Sequence, residues 1–168
     1  GNDWLAFGVF HTIYWDMLRW AERAPHIQFV LKPHPALFSL VTGMGLISQN
    51  SLNEFKRLWQ ALDNCTMVEG QYGGLFAASD LMLTDGLSFL TEYQLFDKPL
   101  VFIDSQRHVQ LNALGQLALD CADHVISLAQ AEGAVNAYAQ GKPLGHQEAR
   151  NKLRRIMIPN ERPSAQII

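Results

Sequence analysis

Charged residues are scarce in this chain of 168 residues, and neither sign of charge dominates. Asp, Glu, Lys and Arg make up 17% of the residues, against about 25% in an average soluble protein. Hydrophobic residues reach 48%, which excludes a disordered chain, because such chains lack apolar surface to bury. With 13 basic and 16 acidic residues the formal net charge is −3. No global positive field exists to hold nucleic acid, so we expect no nucleic-acid partner.

Cysteines and long apolar runs are also few. Cys65 and Cys121 lie far apart and next to apolar runs, so we expect two buried thiols rather than a disulfide or a metal pair. The apolar runs are too short and interrupted to span a bilayer, and the first residues do not resemble a signal peptide. These absences predict a cytoplasmic protein. Because Gly1 is not a methionine, we expect a fragment of a longer chain.

The length fits a single domain over residues 1–168, large enough to bury a real core without disulfides. Short apolar, β-prone runs alternate with segments in which apolar residues recur every three or four positions. The runs predict strands at Ile27–Leu31, Thr66–Val68, Leu81–Thr84, Leu100–Ile103 and His124–Ile126. The periodic segments predict helices at Phe10–Ala24, from Ser51 to about Leu62, and at Leu75–Ser79, Leu87–Phe96, Leu111–Cys121, Leu128–Gln140 and Gln147–Arg155. Continuous apolar strands between helices indicate an α/β fold with a doubly wound parallel sheet, covered on both faces.

Two details of this pattern depend on local signals. Ser51 followed by Glu54 forms a capping box, which predicts that Ser51 caps the second long helix. The segment from Leu37 to Ile47 is apolar but carries two glycines, and its pattern assigns neither a helix nor a strand.

The first candidate site follows the first predicted strand, where Lys32-Pro33-His34-Pro35 ends the apolar run. Open parallel sheets bind ligands outside the carboxyl ends of their strands. The flanking prolines restrict the backbone of His34, so its side chain is aimed at little entropic cost. Lys32 adds a cation, and the pair suits a phosphate or a developing negative charge. The alternative is a plain strand-ending turn with an exposed histidine.

The second candidate site runs from the third predicted strand into a helix, at Thr84-Asp85-Gly86-Leu87-Ser88. We expect Asp85 to cap that helix, to orient His34 or to accept a hydroxyl proton, while Gly86 allows a ligand close to the backbone. Ser88 offers a hydroxyl, and a helix N-terminus at Gly86 would attract anions. Glu92 lies one turn beyond Ser88 and suits ribose hydroxyls. The alternative is ordinary capping, with Glu92 on a solvated face.

Other motifs are missing. The glycines between Gly70 and Gly74 form neither a dinucleotide-binding fingerprint nor a Walker A loop. No cluster has zinc-ligand spacing, there is no nucleophile elbow, and we interpret His108 as a surface residue. Nothing in the sequence requires a metal ion or an organic cofactor.

Three blocks together resemble the CDP-glycerol glycerophosphotransferase family, which builds teichoic-acid and related capsule polymers. The blocks are KPHP at Lys32–Pro35, SDLMLTDGLSFLTEY at Ser79–Tyr93 and KPLVFID at Lys98–Asp104. Their order and spacing agree with the family over about residues 27–104. The resemblance implies a Rossmann-like domain that forms one half of a GT-B glycosyltransferase.

The resemblance also implies roles for particular residues. His34 matches the histidine that contacts the donor and is needed for transfer, and Thr84 and Asp85 match the opening of the phosphate loop. Ser88 matches the second serine of that loop, and Glu92 matches the acidic residue expected at the donor ribose. Gly86 and Leu87 replace the family's Tyr and first Ser, so one phosphate-binding hydroxyl is missing and the donor need not be CDP-glycerol.

The function predicted from these observations is donor-nucleotide binding in a transferase of glycerophosphate or glycosyl groups. Expected partners are a CDP- or UDP-linked donor and an upstream acceptor-binding domain of the same chain, through which the protein would associate peripherally with the inner face of the membrane. One alternative is half of a nucleotide-sugar 2-epimerase. Another is a non-catalytic nucleotide-binding or interaction module in which His34 and Ser88 are structural. Fold alone does not separate these alternatives.

Overall fold

The computed structural model describes residues 8–107 and 110–158. The helices are Phe10–Arg23 (α1), Leu37–Gly43 (α2), Gln49–Ala61 (α3), Gly73–Ala78 (α4), Leu90–Gln94 (α5), Ala113–Asp120 (α6), Leu128–Ala139 (α7) and Gln147–Met157 (α8). The strands are Phe29–Leu31 (β1), Cys65–Met67 (β2), Met82–Thr84 (β3), Leu100–Ile103 (β4) and Asp123–Val125 (β5). The α/β class is confirmed. None of the helices in this part of the chain is long and apolar enough to cross a membrane.

The strands form two parallel sheets rather than the single sheet that the sequence predicts. β1 pairs with β2, and β3, β4 and β5 pair in that order. Within the described residues no ladder joins β1 to β3. Apolar runs predict where strands lie, but they carry no information on which strands exchange hydrogen bonds. The division into two sheets could therefore not be predicted from the sequence.

The three-stranded sheet is covered on both faces, as its apolar strands predict. Leu100 and Phe102 of β4 lie in a core cluster with residues of α5, α6 and α8. Val101 and Ile103 lie in a second cluster with residues of α1 and α7. All four residues of β4 are buried. Alternate side chains of a strand point to opposite faces, so β4 is packed between two layers of helices.

Shared packing links the two sheets. Phe29 of β1 and Leu83 of β3 pack against the same cluster, which includes Trp20 of α1. On the two-stranded sheet, α1, α2 and α3 build a separate core around Phe55 and Trp59. The segment after β1 therefore contains a helix, α2, which the sequence pattern left unassigned.

Ser48, and not Ser51, caps α3. The hydroxyl oxygen of Ser48 accepts a hydrogen bond from the Ser51 backbone N–H at 3.1 Å. The Ser51 hydroxyl lies 2.9 Å from the Tyr14 hydroxyl of α1, and Glu54 bonds Arg57. The predicted capping box is wrong because a contact between helices engages its serine.

Both cysteines are buried thiols, as predicted. Burial raises the pKa of the Cys65 thiol to about 11 and also raises that of Cys121. A thiol with a raised pKa stays protonated and unreactive at neutral pH, which fits a purely structural role.

Asp123, the first residue of β5, forms hydrogen bonds with two side chains of the segment that leads into α8. Its carboxylate accepts hydrogen bonds from Lys142 Nζ at 2.6 Å and His146 Nε2 at 2.8 Å. Burial alone would raise the pKa of Asp123, but the hydrogen bonds from Lys142, His146 and Tyr138 outweigh it and hold the pKa below its usual value. The folded state therefore favours the ionised carboxylate.

Replacement of Asp123 with Asn is expected to lower the free energy of unfolding at pH 7 by about 1.5–3 kcal/mol, the contribution of a hydrogen bond to a charged group. Because the folded pKa is depressed, this stabilisation is present above the unfolded pKa, near 4, and is lost as the pH falls through the folded pKa. Urea denaturation between pH 7 and pH 3 measures it, with exposed Asp63→Asn as the control. An equal acid-induced loss of stability in Asp123→Asn and the unmodified protein would contradict this.

Candidate functional site

The carboxyl ends of β1 and β2 lie side by side because the two strands are parallel and in register. Leu31 pairs with Met67, and the Val68 N–H donates a hydrogen bond to the Leu31 carbonyl at 3.0 Å. The two chains therefore leave the sheet at the same edge, Lys32 after β1 and Val68 and Glu69 after β2. The register thus brings a carboxylate to the Lys32–Pro35 motif.

A cavity of about 260 Å³ opens at this edge. It is lined by Lys32, Pro33, His34, Pro35, Phe38, Glu69 and Gly70. Two of the predicted site residues, Lys32 and His34, therefore share a cavity. The others, Thr84, Asp85, Gly86, Ser88 and Glu92, are outside its lining.

Two charged groups of opposite sign line this cavity without neutralising each other. Lys32 Nζ has the Pro33 carbonyl at 3.5 Å as its hydrogen-bond partner. Within residues 8–107 and 110–158 neither Lys32 nor Glu69 forms an ion pair. An ammonium group that faces a cavity without a carboxylate partner is suited to an anionic ligand.

The backbone of the following turn orients the His34 ring. Its Nδ1 accepts a hydrogen bond from the Ala36 N–H at 3.2 Å, and its carbonyl accepts one from the Leu37 N–H at 2.8 Å. A neutral imidazole whose Nδ1 accepts carries its proton on Nε2. His34 is exposed, and its Nε2–H has the chemistry to donate a hydrogen bond to a ligand oxygen.

Phe38 of α2 forms the apolar wall of the cavity, and a second lysine stands beside it. Lys56 Nζ of α3 lies 3.9 Å from the centre of the Phe38 ring, a cation–π contact. The edge of Phe10 packs against the same ring, at 5.9 Å between ring centroids. Lys56 forms no ion pair in the described part of the chain, so it adds positive charge near the cavity.

The loop after β3 does not lead directly into a helix. The predicted helix start at Gly86 is wrong, since α5 begins at Leu90 and has only five residues. The Thr84 hydroxyl accepts a hydrogen bond from the Gly86 N–H at 3.1 Å, which closes a local turn instead. No helix N-terminus therefore exists at Gly86 to attract an anion.

Asp85 caps a helix, but not the predicted one. Its Oδ2 accepts a hydrogen bond at 2.8 Å from the N–H of Val9, the residue that precedes α1. A carboxylate at a helix N-terminus offsets the positive end of the helix dipole. Asp85 thus ties the start of α1 to the carboxyl end of β3, a contact between residues 76 positions apart.

Ser88 and Glu92 lie beyond this turn. Ser88 is exposed. The carboxylate of Glu92 in α5 interacts with the Tyr72 phenol and raises the pKa of Tyr72. Tyr72 also packs against Phe89, with 4.6 Å between ring centroids, so Glu92 and the N-cap residue of α5, Phe89, both contact the loop before α4. His108 lies outside the described residues.

The lysine of the third sequence block has a structural role. Lys98 Nζ donates to the carbonyls of Phe76, Ala77 and Ser79 at 3.0, 2.6 and 2.5 Å. These carbonyls belong to the C-terminal end of α4, where a helix leaves acceptors without partners. The lysine therefore terminates α4 and does not contribute to the cavity.

Glu69, Gly70, Phe38 and Lys56 were missed by the sequence analysis. The position of Glu69 just after a strand was a usable signal, because the carboxyl ends of parallel strands meet at one edge. Lys56 gave no such signal, since it lies in the middle of α3 and comes near the cavity only through its contact with the Phe38 ring of α2.

In the described residues, no three His, Cys, Asp or Glu side chains come together as a metal-binding group. Comparison of the chain with protein-family models, curated protein sequences and solved structures finds no match.

Proposed function

We propose that this chain binds the phosphate of a nucleotide-activated donor in the cavity at the carboxyl ends of β1 and β2. The observation that carries the proposal is that one cavity holds both the oriented ring of His34 and Lys32, an ammonium group that has no ion-pair partner among the described residues. An ammonium group and an oriented N–H donor both form hydrogen bonds with phosphate oxygens, and the charge on the phosphate strengthens these bonds. The position also agrees with the rule that open parallel sheets bind ligands at the carboxyl ends of their strands.

The chain would then serve as the donor-binding part of a transferase of glycerophosphate or glycosyl groups, with GT-B architecture, in the synthesis of a cell-surface polymer. In such a reaction the nucleoside phosphate leaves as negative charge builds on its oxygen. Lys32 and the Nε2–H of His34 would stabilise that charge in the transition state. The transferase class and the doubly wound GT-B half both rest on the three sequence blocks, and the parallel strands with helices on both sides of β4 are consistent with them.

Contact of the donor with Thr84, Asp85, Gly86, Ser88 and Glu92 stays a prediction. One of these residues would have to give up its partner to make such a contact, because Asp85 accepts a hydrogen bond from the Val9 N–H at 2.8 Å. Breaking that bond costs a hydrogen bond to a charged group, about 1.5–3 kcal/mol. A donor phosphate on Lys32 and His34 leaves this bond intact, which favours the cavity as the phosphate site.

Calorimetric titration of the chain with CDP, UDP and GDP tests this proposal. We expect saturable binding of at least one diphosphate, with a Kd of about 0.1–1 mM, which corresponds to about 4–5.5 kcal/mol. The matching nucleoside without phosphate is expected to bind at least about tenfold more weakly, because its phosphate contacts contribute about 1.4 kcal/mol or more. No saturable binding, or equal binding of nucleoside and diphosphate, would exclude a phosphate site.

A further inference from the structure

We propose that Glu69 is a specificity residue that accepts hydrogen bonds from the hydroxyl groups of the ligand whose phosphate binds Lys32 and His34. This inference rests on the proposed function and deepens it. It identifies the ligand class as a phosphorylated sugar or polyol, such as the ribose end of a nucleoside diphosphate, rather than a simple polyanion.

The first argument is the position of Glu69. The hydrogen bond from the Val68 N–H to the Leu31 carbonyl is the last between the segments of β1 and β2, and Glu69 follows it directly. Gly70 comes next with a φ of 98°, a left-handed backbone conformation that favours glycine. The chain therefore turns sharply just after Glu69, at the edge of the cavity that Glu69 lines.

The second argument is the charge pattern. A cavity built only for a polyanion would avoid a carboxylate, since like charges repel and desolvation strengthens the repulsion. Here Glu69 lines the same cavity as Lys32 without pairing with it. A ligand with a phosphate at one end and hydroxyl groups at the other satisfies both charges, because a carboxylate accepts hydrogen bonds from hydroxyl groups.

The third argument is a comparison with Glu92, the carboxylate that the sequence assigns to the ribose. Glu92 interacts with the Tyr72 phenol, whose pKa it raises, and is not among the residues that line the cavity. Glu69 is exposed and accepts no hydrogen bond from the described residues. Of the two carboxylates, Glu69 is the one whose acceptor sites are open to a ligand.

The size of the cavity agrees with this ligand class. Its volume of about 260 Å³ lies just below the usual range for small-molecule pockets, about 300–1,000 Å³. Such a volume suits a phosphate with an attached pentose or short polyol, and the rest of a nucleotide would extend out of the cavity.

The test compares a nucleoside diphosphate with its 2′,3′-dideoxy analogue, using the diphosphate among CDP, UDP and GDP that binds most tightly. The proteins are the unmodified chain, Glu69→Ala, and the control Glu22→Ala, which removes an exposed carboxylate of α1. We expect the unmodified chain and the control to prefer the hydroxylated ligand by about five- to tenfold, the loss of one or two hydrogen bonds. In Glu69→Ala the preference is expected to fall below about twofold.

The outcomes separate this inference from the proposed function. Phosphate-dependent binding with no hydroxyl preference in the unmodified chain would overturn the role of Glu69 and leave the phosphate site standing. If Glu69→Ala and the unmodified chain prefer the hydroxylated ligand equally, the role of Glu69 is also overturned and the phosphate site still stands. Absence of any phosphate-dependent binding would overturn the proposed function and the role of Glu69 with it. Far-UV circular dichroism checks that Glu69→Ala is folded. If the variant does not fold, the comparison of the diphosphate with its dideoxy analogue in the unmodified chain still tests the hydroxyl preference.

Discussion

Replacement of Asn64 with alanine is expected to lower the free energy of unfolding by about 2 kcal/mol, because it removes three hydrogen bonds that a buried amide donates. The Asn64 side chain is only 7% exposed. Its Nδ2 lies 3.1 Å from each of the carbonyl oxygens of Ala21, Ala24 and Ile27. One amide group thus holds the end of α1 and the turn into β1 against the start of β2. Urea denaturation followed by circular dichroism measures the effect.

Asn136→Ala on the exposed face of α7 is the matched control. A surface change of this kind is expected to stay within about 0.5 kcal/mol of the unmodified chain. If Asn64→Ala also stayed within about 0.5 kcal/mol of the unmodified chain, the three hydrogen bonds of the amide would not stabilise the fold, and Asn64 would not be the anchor of this turn. Nothing in the sequence singled out Asn64, since one asparagine before a strand looks like any turn residue.

The parts of the fold that the sequence predicts well are those in which burial shows directly in composition. The prediction for Leu100–Ile103 matches β4 residue for residue, because a strand packed on both faces is apolar throughout. Helix α1 starts at Phe10 as predicted and ends one residue early, at Arg23. In both cases one local pattern is enough to determine the element.

Other features depend on contacts between distant residues. Ser48 and Ser51 are equally good caps by pattern, and the Tyr14 hydroxyl decides between them by engaging Ser51. Asp85 is a good cap by pattern for a helix that follows it, and Val9, 76 residues earlier, takes its carboxylate instead. Tertiary contacts therefore determine which residue caps which helix, and a short stretch of sequence does not predict it.

The candidate site also combines residues that a local pattern predicts with residues that only distant contacts bring in. Lys32 and His34 could be identified because a charged, proline-flanked motif at a strand end is unusual. Glu69 could not be paired with them without the register of β1 and β2, and Phe38 could not be placed without knowing that α2 is a helix. The sequence therefore predicted the motif with Lys32 and His34. The apolar wall at Phe38 and the negative charge of Glu69 were identified only from the structure.

The central claim is that the ligand phosphate binds Lys32 at the carboxyl end of β1, and substitution of this lysine tests it most directly. Lys32→Gln is expected to raise the Kd for the best-binding nucleoside diphosphate by about 10- to 100-fold, because it removes a charge-assisted hydrogen bond worth about 1.5–3 kcal/mol. Lys152→Gln, which removes an exposed lysine of α8, is expected to change the Kd by less than about twofold.

Ser88→Ala, measured in the same titration, distinguishes the cavity from the loop after β3. Because Ser88 does not line the cavity, we expect its loss to change the Kd by less than about threefold, well under the effect of Lys32→Gln. An unchanged Kd in Lys32→Gln together with a large loss of binding in Ser88→Ala would contradict the account, and would assign the phosphate to the loop between β3 and α5.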